Sequence, residues 1–242
     1  MNQATAAKLI QLNAEFYQTF ATQFSDTRMR IQPGVQWVLD SIDPDSNILD
    51  LGCGNGELAR VLLQREFRGT YFGLDFSTEL LDVAREGIAR FENFSFIQGS
   101  ITETGWQSAL GPQPPAFDVV LSFAALHHLP ASETHQQVLR TVRNLLTSEG
   151  RFIHSNWQFL NSERLRKRIQ PWSKIGLSEA DVDPGDYLLD WRRGGFGLRY
   201  VHHFSEDELN DLAAETGFRV VETFYSDGET GDLGLYQIWE LA

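Results

Sequence analysis

Between residues 47 and 155 the chain alternates short apolar runs with amphipathic stretches, and this rhythm restricts the fold more than any other feature. Runs rich in aliphatic, β-branched and aromatic residues at 47–51, 70–74, 94–98, 117–122 and 150–155 read as strands. Stretches at 57–64, 78–90 and 133–146 read as helices, with a loop-rich segment at 102–110. Most of the strand runs lack polar alternation, the pattern of strands covered on both faces. Alternating strand and helix units imply a mainly parallel sheet with right-handed crossovers. A helix at 205–216 then precedes two strands, 218–225 and 235–241, split by the turn-rich SDGETGDLG. That spacing predicts a hairpin closing one sheet edge, for seven strands in all.

Two segments stand outside this rhythm. Leu9, Leu12, Phe16, Phe20 and Phe24 recur at spacings of three and four, so residues 2–24 predict an amphipathic helix. With a second helix at 35–41 after Pro33-Gly34, residues 1–45 read as an N-terminal helical cap. Residues 156–203 hold Trp157, Trp172, Trp191, the run RLRKR and the run RRGGFG, and read as a lid-like insertion. The core is then 46–155 plus 204–242, and all 242 residues read as one domain, with an apolar fraction of 42% sufficient for its core.

The net charge of −13 argues against a bare nucleic-acid binder, whose affinity rests on Lys and Arg. The insertion departs from that balance. Residues 151–203 carry nine Lys/Arg against six Asp/Glu, a local +3 that suits either a solvated mixed-charge surface or a site for an anionic substrate. Cys53 is the single cysteine, the N-terminus lacks the apolar core of a signal peptide, and the apolar stretch at 119–129 is too short to span a bilayer. A cytoplasmic location with no membrane partner is expected, and no metal site is read from the chain.

The segment ILDLGCGNGELA, residues 48–59, concentrates the chemistry. A glycine loop between a strand and a helix lies where open α/β sheets bind ligands. A dinucleotide fingerprint would require a third glycine where Glu57 stands, and a phosphate-binding loop would require a following lysine. The ligand is therefore not a phosphate chain. Asp50 ends the first strand and suits a cationic group. Asp75 ends the second, 25 residues after Asp50, and suits two ribose hydroxyls as bidentate acceptor. A nucleoside with an amino-acid tail satisfies both acids, with Phe76 beside its base. Each acid taken singly also fits a cap, Asp50 for a loop N–H and Asp75 for the helix starting near Thr78.

Four motifs in order, ILDLGCGNG, GLDFS, FDVVLSFAALHHL and LLTSEGRFIHSNW, resemble those of the class I S-adenosylmethionine-dependent methyltransferases. The resemblance covers about 45–157 and implies a Rossmann-like fold and S-adenosyl-L-methionine as cofactor. It implies cofactor contacts from Gly52, Cys53, Gly54 and Gly56 in the loop, from Asp50, Asp75 and Phe76, and from Ser122 in the fourth-strand motif. The family often has an acid after the third strand to hold the adenine amino group; this chain has Ser100 and Ile101 there. A narrower similarity, carried by FATQFSDTR, LHH, GDYLLDW and LRYVHHFSEDEL, is to the eukaryotic methyltransferases that esterify the carboxymethyl group of tRNA wobble uridines. It implies Arg28 near the cofactor or a substrate carboxylate, His127 and His128 near the reaction centre, and an activating partner subunit.

The acceptor remains open between tRNA and a small molecule. A carboxylate acceptor is ionised at pH 7 and needs no base, only a cation or donors to orient it. Arg28, Arg192, Arg193, Arg199 and the pair His202–His203 are candidates. A hydroxyl or amine acceptor is helped by a base, for which His127 or His128 is best placed. Tyr17 either lies over the cofactor or edges the helical stripe. The alternatives to a carboxylate methyltransferase are a small-molecule O- or N-methyltransferase and a cofactor-binding scaffold without catalysis.

Overall fold

The structure, a computed structural model, describes residues 1–26, 30–88, 90–112 and 114–242, with backbone alone for 21–26. Its strands are β1 (Asn47–Leu51), β2 (Thr70–Asp75), β3 (Phe94–Gln98), β4 (Phe117–Phe123), β5 (Leu146–Trp157), β6 (Ile169–Gln170), β7 (Asp186–Trp191), β8 (Gly197–His202), β9 (Phe218–Ser226) and β10 (Gly234–Leu241). Seven of them form one sheet in the order β3-β2-β1-β4-β5-β10-β9. The pairs among β1 to β5 are parallel, and β10 is antiparallel to both β5 and β9. This is the mainly parallel Rossmann-like sheet expected from the sequence. The terminal hairpin does close one edge, but its last strand lies inside, between β5 and β9.

The helices are α1 (Gln3–Asp26), α2 (Pro33–Asp40), α3 (Glu57–Gln64), α4 (Thr78–Arg85), α5 (Ser132–Leu145), α6 (Glu163–Arg166) and α7 (Glu206–Thr216). Alternation within β1 divides the core. Ile48 joins Val38 and Leu39 of α2 and Leu62 of α3 on one face, while Leu49 and Leu51 join Val138 and Val142 of α5 and Leu209 of α7 on the other. Asp50 shares the Ile48 face, so the strand carries its one acid toward the glycine-loop side.

Local chemistry sets the helix ends. Ser77 and Ser205 cap α4 and α7, each side chain accepting the N–H three residues on, from Leu80 and Glu208. α4 stops at Arg85 rather than running to 90, because Gly87 takes a left-handed φ of 76° that ends the helix. The 102–110 segment contains a short 3-10 turn, Trp106–Leu110, which buries Trp106 and Leu110 in the core.

The insertion has its own three-stranded antiparallel sheet, β6-β7-β8. Its three tryptophans divide among separate clusters instead of sharing one core. Trp172 packs with Leu9, Leu188 and Tyr200, Trp157 with Phe159 and Val201, and Trp191 with Phe16, Tyr17 and Phe20. The stripe of α1 therefore docks on the insertion. A side chain at Gly197 would meet the Phe20 ring at 2.5 Å and the Phe16 ring at 3.1 Å, so the last glycine of RRGGFG permits this close approach. Phe24 and Arg28 lie outside what the structure describes, Phe24 as to its side chain and Arg28 entirely.

Asn13 of α1 locks the assembly. Its Nδ2 donates to the carbonyls of His128 (3.0 Å) and Tyr200 (3.1 Å), and its Oδ1 accepts the Tyr200 N–H at 2.8 Å. A second lock joins β8 to α7. His202 bonds Asp186 through Nδ1 (2.7 Å) and Glu208 through Nε2 (2.9 Å), and Tyr200 donates to Asp186 at 2.6 Å. Burial opposes the imidazolium, but the two carboxylates outweigh it and raise its pKa from 6.5 to about 9.

Asn13→Ala leaves the Tyr200 N–H and both carbonyls short of a partner, and should cost roughly 2–4 kcal/mol in urea unfolding; a loss below about 0.5 kcal/mol would contradict the role given to Asn13. The raised His202 pKa sets a second outcome. Its contribution is complete below pH 6.5 and is lost as pH rises through about 9. Unfolding titrations should show about 2–3 kcal/mol less stability across that window, and His202→Gln should flatten the profile.

Candidate active site

A cavity of about 740 Å³ opens at the carboxyl ends of β1, β2 and β4. Its floor is the glycine loop and the strand ends, and its roof is α1 and the insertion. Of the residues singled out from the sequence, it brings together Tyr17, Asp50, Gly52, Cys53, Gly54, Asp75, Phe76, Ser100, Ile101, His127, His128 and Arg199. Gly56 and Ser122 do not line it. Ser122 is fully buried within β4, where its hydroxyl has no hydrogen-bond partner among the described residues.

The loop glycines serve different ends. A side chain at Gly56 would strike Ala84 Cβ at 2.7 Å, so this glycine brings α3 against α4. Gly54, at a φ of 55°, faces open space, and there a ligand can approach the bare backbone. The loop is not an anion nest. The N–H groups of Gly52 and Cys53 both donate to the Leu74 carbonyl, that of Gly54 to Asp75, and that of Gly56 to the Cys53 carbonyl. With its donors turned inward and two carboxylates beside it, the loop suits a ligand without phosphates.

Asp75 has both readings at once. Its Oδ2 accepts the Gly54 N–H and its Oδ1 the Ser77 N–H, each at 2.9 Å, so it does tie the loop to the start of α4. It also lines the cavity, and a carboxylate has further lone pairs for two hydroxyls. Burial pushes its pKa up, opposed by the backbone N–H groups that favour the ionised form. Asp50 is 4% exposed and receives a 2.7 Å hydrogen bond from the Tyr71 hydroxyl. Burial, against that hydrogen bond and with the charge of Asp75 adding, raises its pKa to about 7. No cation pairs with it among the described residues, so a positively charged ligand group is what this carboxylate lacks. Tyr71 was not anticipated. The clue was parity, because Tyr71 stands two residues before Gly73, the register partner of Asp50, and so shares its face.

The histidines are oriented as parts of the roof. The Tyr200 carbonyl can only accept, so His128 Nδ1 carries its proton toward it (3.3 Å), and Nε2 accepts from the Tyr17 hydroxyl at 2.6 Å. His127 Nδ1 accepts the Trp157 N–H at 3.3 Å, which puts the proton of the neutral ring on Nε2. Both lone pairs are committed, so neither ring is set up as the base considered from sequence. Tyr17 edges the stripe and also meets Phe76, ring to ring at 6.0 Å. Cys53 is buried, and burial drives its thiol pKa well up, which suits a filler and not a nucleophile.

Arg199 differs from every other cation in the cavity. It is 7% exposed, its guanidinium sits 4.9 Å from the Trp157 ring and 5.4 Å from Phe16, and its Nε has no partner among the described residues. Among the described residues it forms no ion pair. Three other carboxylate-binding candidates fare differently. Arg192 pairs with Asp190 at 2.7 Å, while His202 and His203 do not reach the cavity. His202 is engaged by Asp186 and Glu208, and His203 packs against Phe159.

The Asp50 pKa generates a test. Only the carboxylate attracts a cation, so affinity for the S-adenosylmethionine that the sequence motifs imply should fall up to about tenfold per pH unit below 7. Calorimetry between pH 6 and 8 should show that slope for the native chain, and Asp50→Asn should abolish it and weaken binding at pH 8 by roughly 10–100-fold. Equal affinity at both ends would remove Asp50 from cofactor binding.

Residues 42–189 match the family described as a methyltransferase domain. The chain is 26% identical to the tRNA (carboxymethyluridine(34)-5-O)-methyltransferase of Schizosaccharomyces pombe, over 87% of this chain and 90% of that one. It is 28% identical to the malonyl-[acyl-carrier protein] O-methyltransferase of Halalkalibacterium halodurans, over 76% and 65% respectively. Its fold is similar to that of a SAM-dependent methyltransferase from Methanosarcina mazei, with a TM-score of 0.65 at 20% identity, covering 87% of this chain and 98% of that one. No helix among the described residues is long and apolar enough to cross a membrane. The matched segment spans more than half of the chain and includes the glycine loop and both strand-end acids: the chain belongs to the methyltransferase domain family.

Proposed function

We propose that this methyltransferase esterifies a carboxylate of its acceptor, and that Arg199 holds that carboxylate. The observation that carries the proposal is the buried guanidinium without an acid. A charge withdrawn from water is costly unless paired, and a planar fork of N–H donors is matched by a carboxylate. The aromatic rings around it offset part of that cost and fix its orientation. An amine acceptor, cationic at pH 7, would be repelled. Two relatives bear names for O-methyl transfer, on carboxymethyluridine and on malonyl-[acyl-carrier protein], and both of those groups contain a carboxylate.

When bound, S-adenosylmethionine supplies a methyl group already activated by its sulfonium. On this reading Asp50 takes the ammonium end and Asp75 the ribose hydroxyls, with Phe76, Ser100 and Ile101 beside the base. Arg199 anchors one acceptor oxygen and leaves the other to attack. α1 and the insertion exclude water, so the aligned pair is held without competing solvent. No proton is removed from a carboxylate, which fits histidines whose lone pairs are already committed. An acceptor carried on tRNA and a small carboxylate are both compatible with this chemistry. An activating partner, as in the wobble-uridine enzymes, is part of the same proposal for the tRNA case.

Arg199→Gln should lower kcat/KM for the acceptor by roughly 10–100-fold, the worth of a charge-assisted hydrogen bond, while cofactor affinity stays unchanged. Methyl-labelled cofactor, offered total tRNA and a small-metabolite extract, should yield label released by mild alkali. Alkali-stable label, or full activity in Arg199→Gln, would overturn the ester reading. Which pool takes the label separates tRNA from a small molecule.

A further inference from the structure

Arg199 accounts for one cavity arginine, and the insertion places four more at the mouth. Arg164 comes from α6, Arg168 precedes β6, and Arg192 and Arg193 follow β7. We propose that these four, two of them held by Asp190, form a second anion subsite, and that the acceptor carries a further oxyanionic group outside the carboxylate that is methylated. This rests on the reading of Arg199 given above.

Asp190 is the organiser. It is 3% exposed, and its Oδ2 accepts from Arg192 through Nε (3.0 Å) and Nη2 (2.7 Å) and from Gln170 at 3.1 Å. Its Oδ1 faces Arg168 Nη1 at 3.6 Å and makes no hydrogen bond. One buried carboxylate thus positions two guanidinium groups without balancing the set. Arg164 and Arg193 have no ion pair among the described residues, and the insertion's part of the lining sets these four cations and Arg199 against this one acid on a chain of net charge −13.

Neighbouring residues show that the arrangement is selective. In the run RLRKR, Arg164 and Arg168 are four apart and both face the cavity. Between them, Arg166 turns back to the Leu160 carbonyl and Lys167 pairs with Glu163 at 2.7 Å. The sequence run is therefore not one patch: its middle is satisfied on the surface, and its ends line the cavity. The tip that carries Arg193 is held by the Trp191 indole N–H, which donates to the Arg193 carbonyl at 2.5 Å. Guanidinium groups gathered this way repel one another, and a phosphate or carboxylate with several acceptor oxygens relieves that repulsion. A monocarboxylate bound at Arg199 would leave the cluster unused.

Anion binding by calorimetry at low ionic strength tests this, with inorganic phosphate and acetate as probes. Arg199→Gln silences the inner site, so the binding that persists reports the mouth. Against that background, adding Arg164→Gln and Arg193→Gln should weaken the tighter probe by about fivefold or more. Both residues are exposed, and unchanged S-adenosylmethionine affinity confirms that the fold survives. Tighter phosphate would mark a phosphate ester as the second group, and tighter acetate a second carboxylate. Equal affinity before and after the added substitutions would overturn the subsite. Acetate affinity unaltered by Arg199→Gln alone would instead sink the inner clamp, an outcome the mouth variants do not influence.

Discussion

One asparagine side chain joins parts of the chain that are nearly 190 residues apart. Asn13 takes both backbone groups of Tyr200 and the carbonyl of His128, so α1, β8 and the loop after β4 meet at one amide. Residues that line the cavity flank these contacts: Tyr17 lies one turn on from Asn13, His128 carries the carbonyl it binds, and Arg199 precedes Tyr200. The roof is thus built by pairing an amide with main-chain groups, which fixes strand and loop whatever side chains they carry. Aromatic packing of Phe16, Phe20 and Trp191 then fills the space around the joint.

The cavity is electrically divided. The strand ends contribute Asp50 and Asp75, with inward-turned loop donors, and the insertion contributes Arg199 and the mouth arginines. A cationic ligand group and an anionic one would each be drawn to its own end, and their opposite charges would favour approach between the two. The division also accounts for a chain of strongly negative net charge whose insertion is locally positive. Five of the nine basic residues in 151–203, Arg164, Arg168, Arg192, Arg193 and Arg199, line the cavity.

The sheet and its cofactor end were legible in the sequence because both follow short-range rules. Apolar runs of strand length, glycines at a strand end, and acids at the ends of β1 and β2 are all local patterns. What could not be read was set by tertiary contacts. Nothing near Asn13 announces its partners, and Tyr71 reaches Asp50 only through strand register. The doublets His127–His128 and His202–His203 look alike as sequence, yet the first pair lines the cavity and only one member of the second is bound to acids, away from it. Likewise RLRKR reads as a continuous basic run until helical geometry separates its members. Ser122 sits in a motif strand but points into the core, a matter of which face a residue takes.

The position of β10 has a consequence for how this sheet is assembled. β9 touches the sheet only through β10, which follows it in the chain and runs against both neighbours. β9 cannot add to the sheet by itself: it joins with β10 as a hairpin, whose pairing is local and rapid, or after β10 has docked on β5. Without β10, the backbone groups along that side of β5 form an open edge of the kind that pairs with another chain.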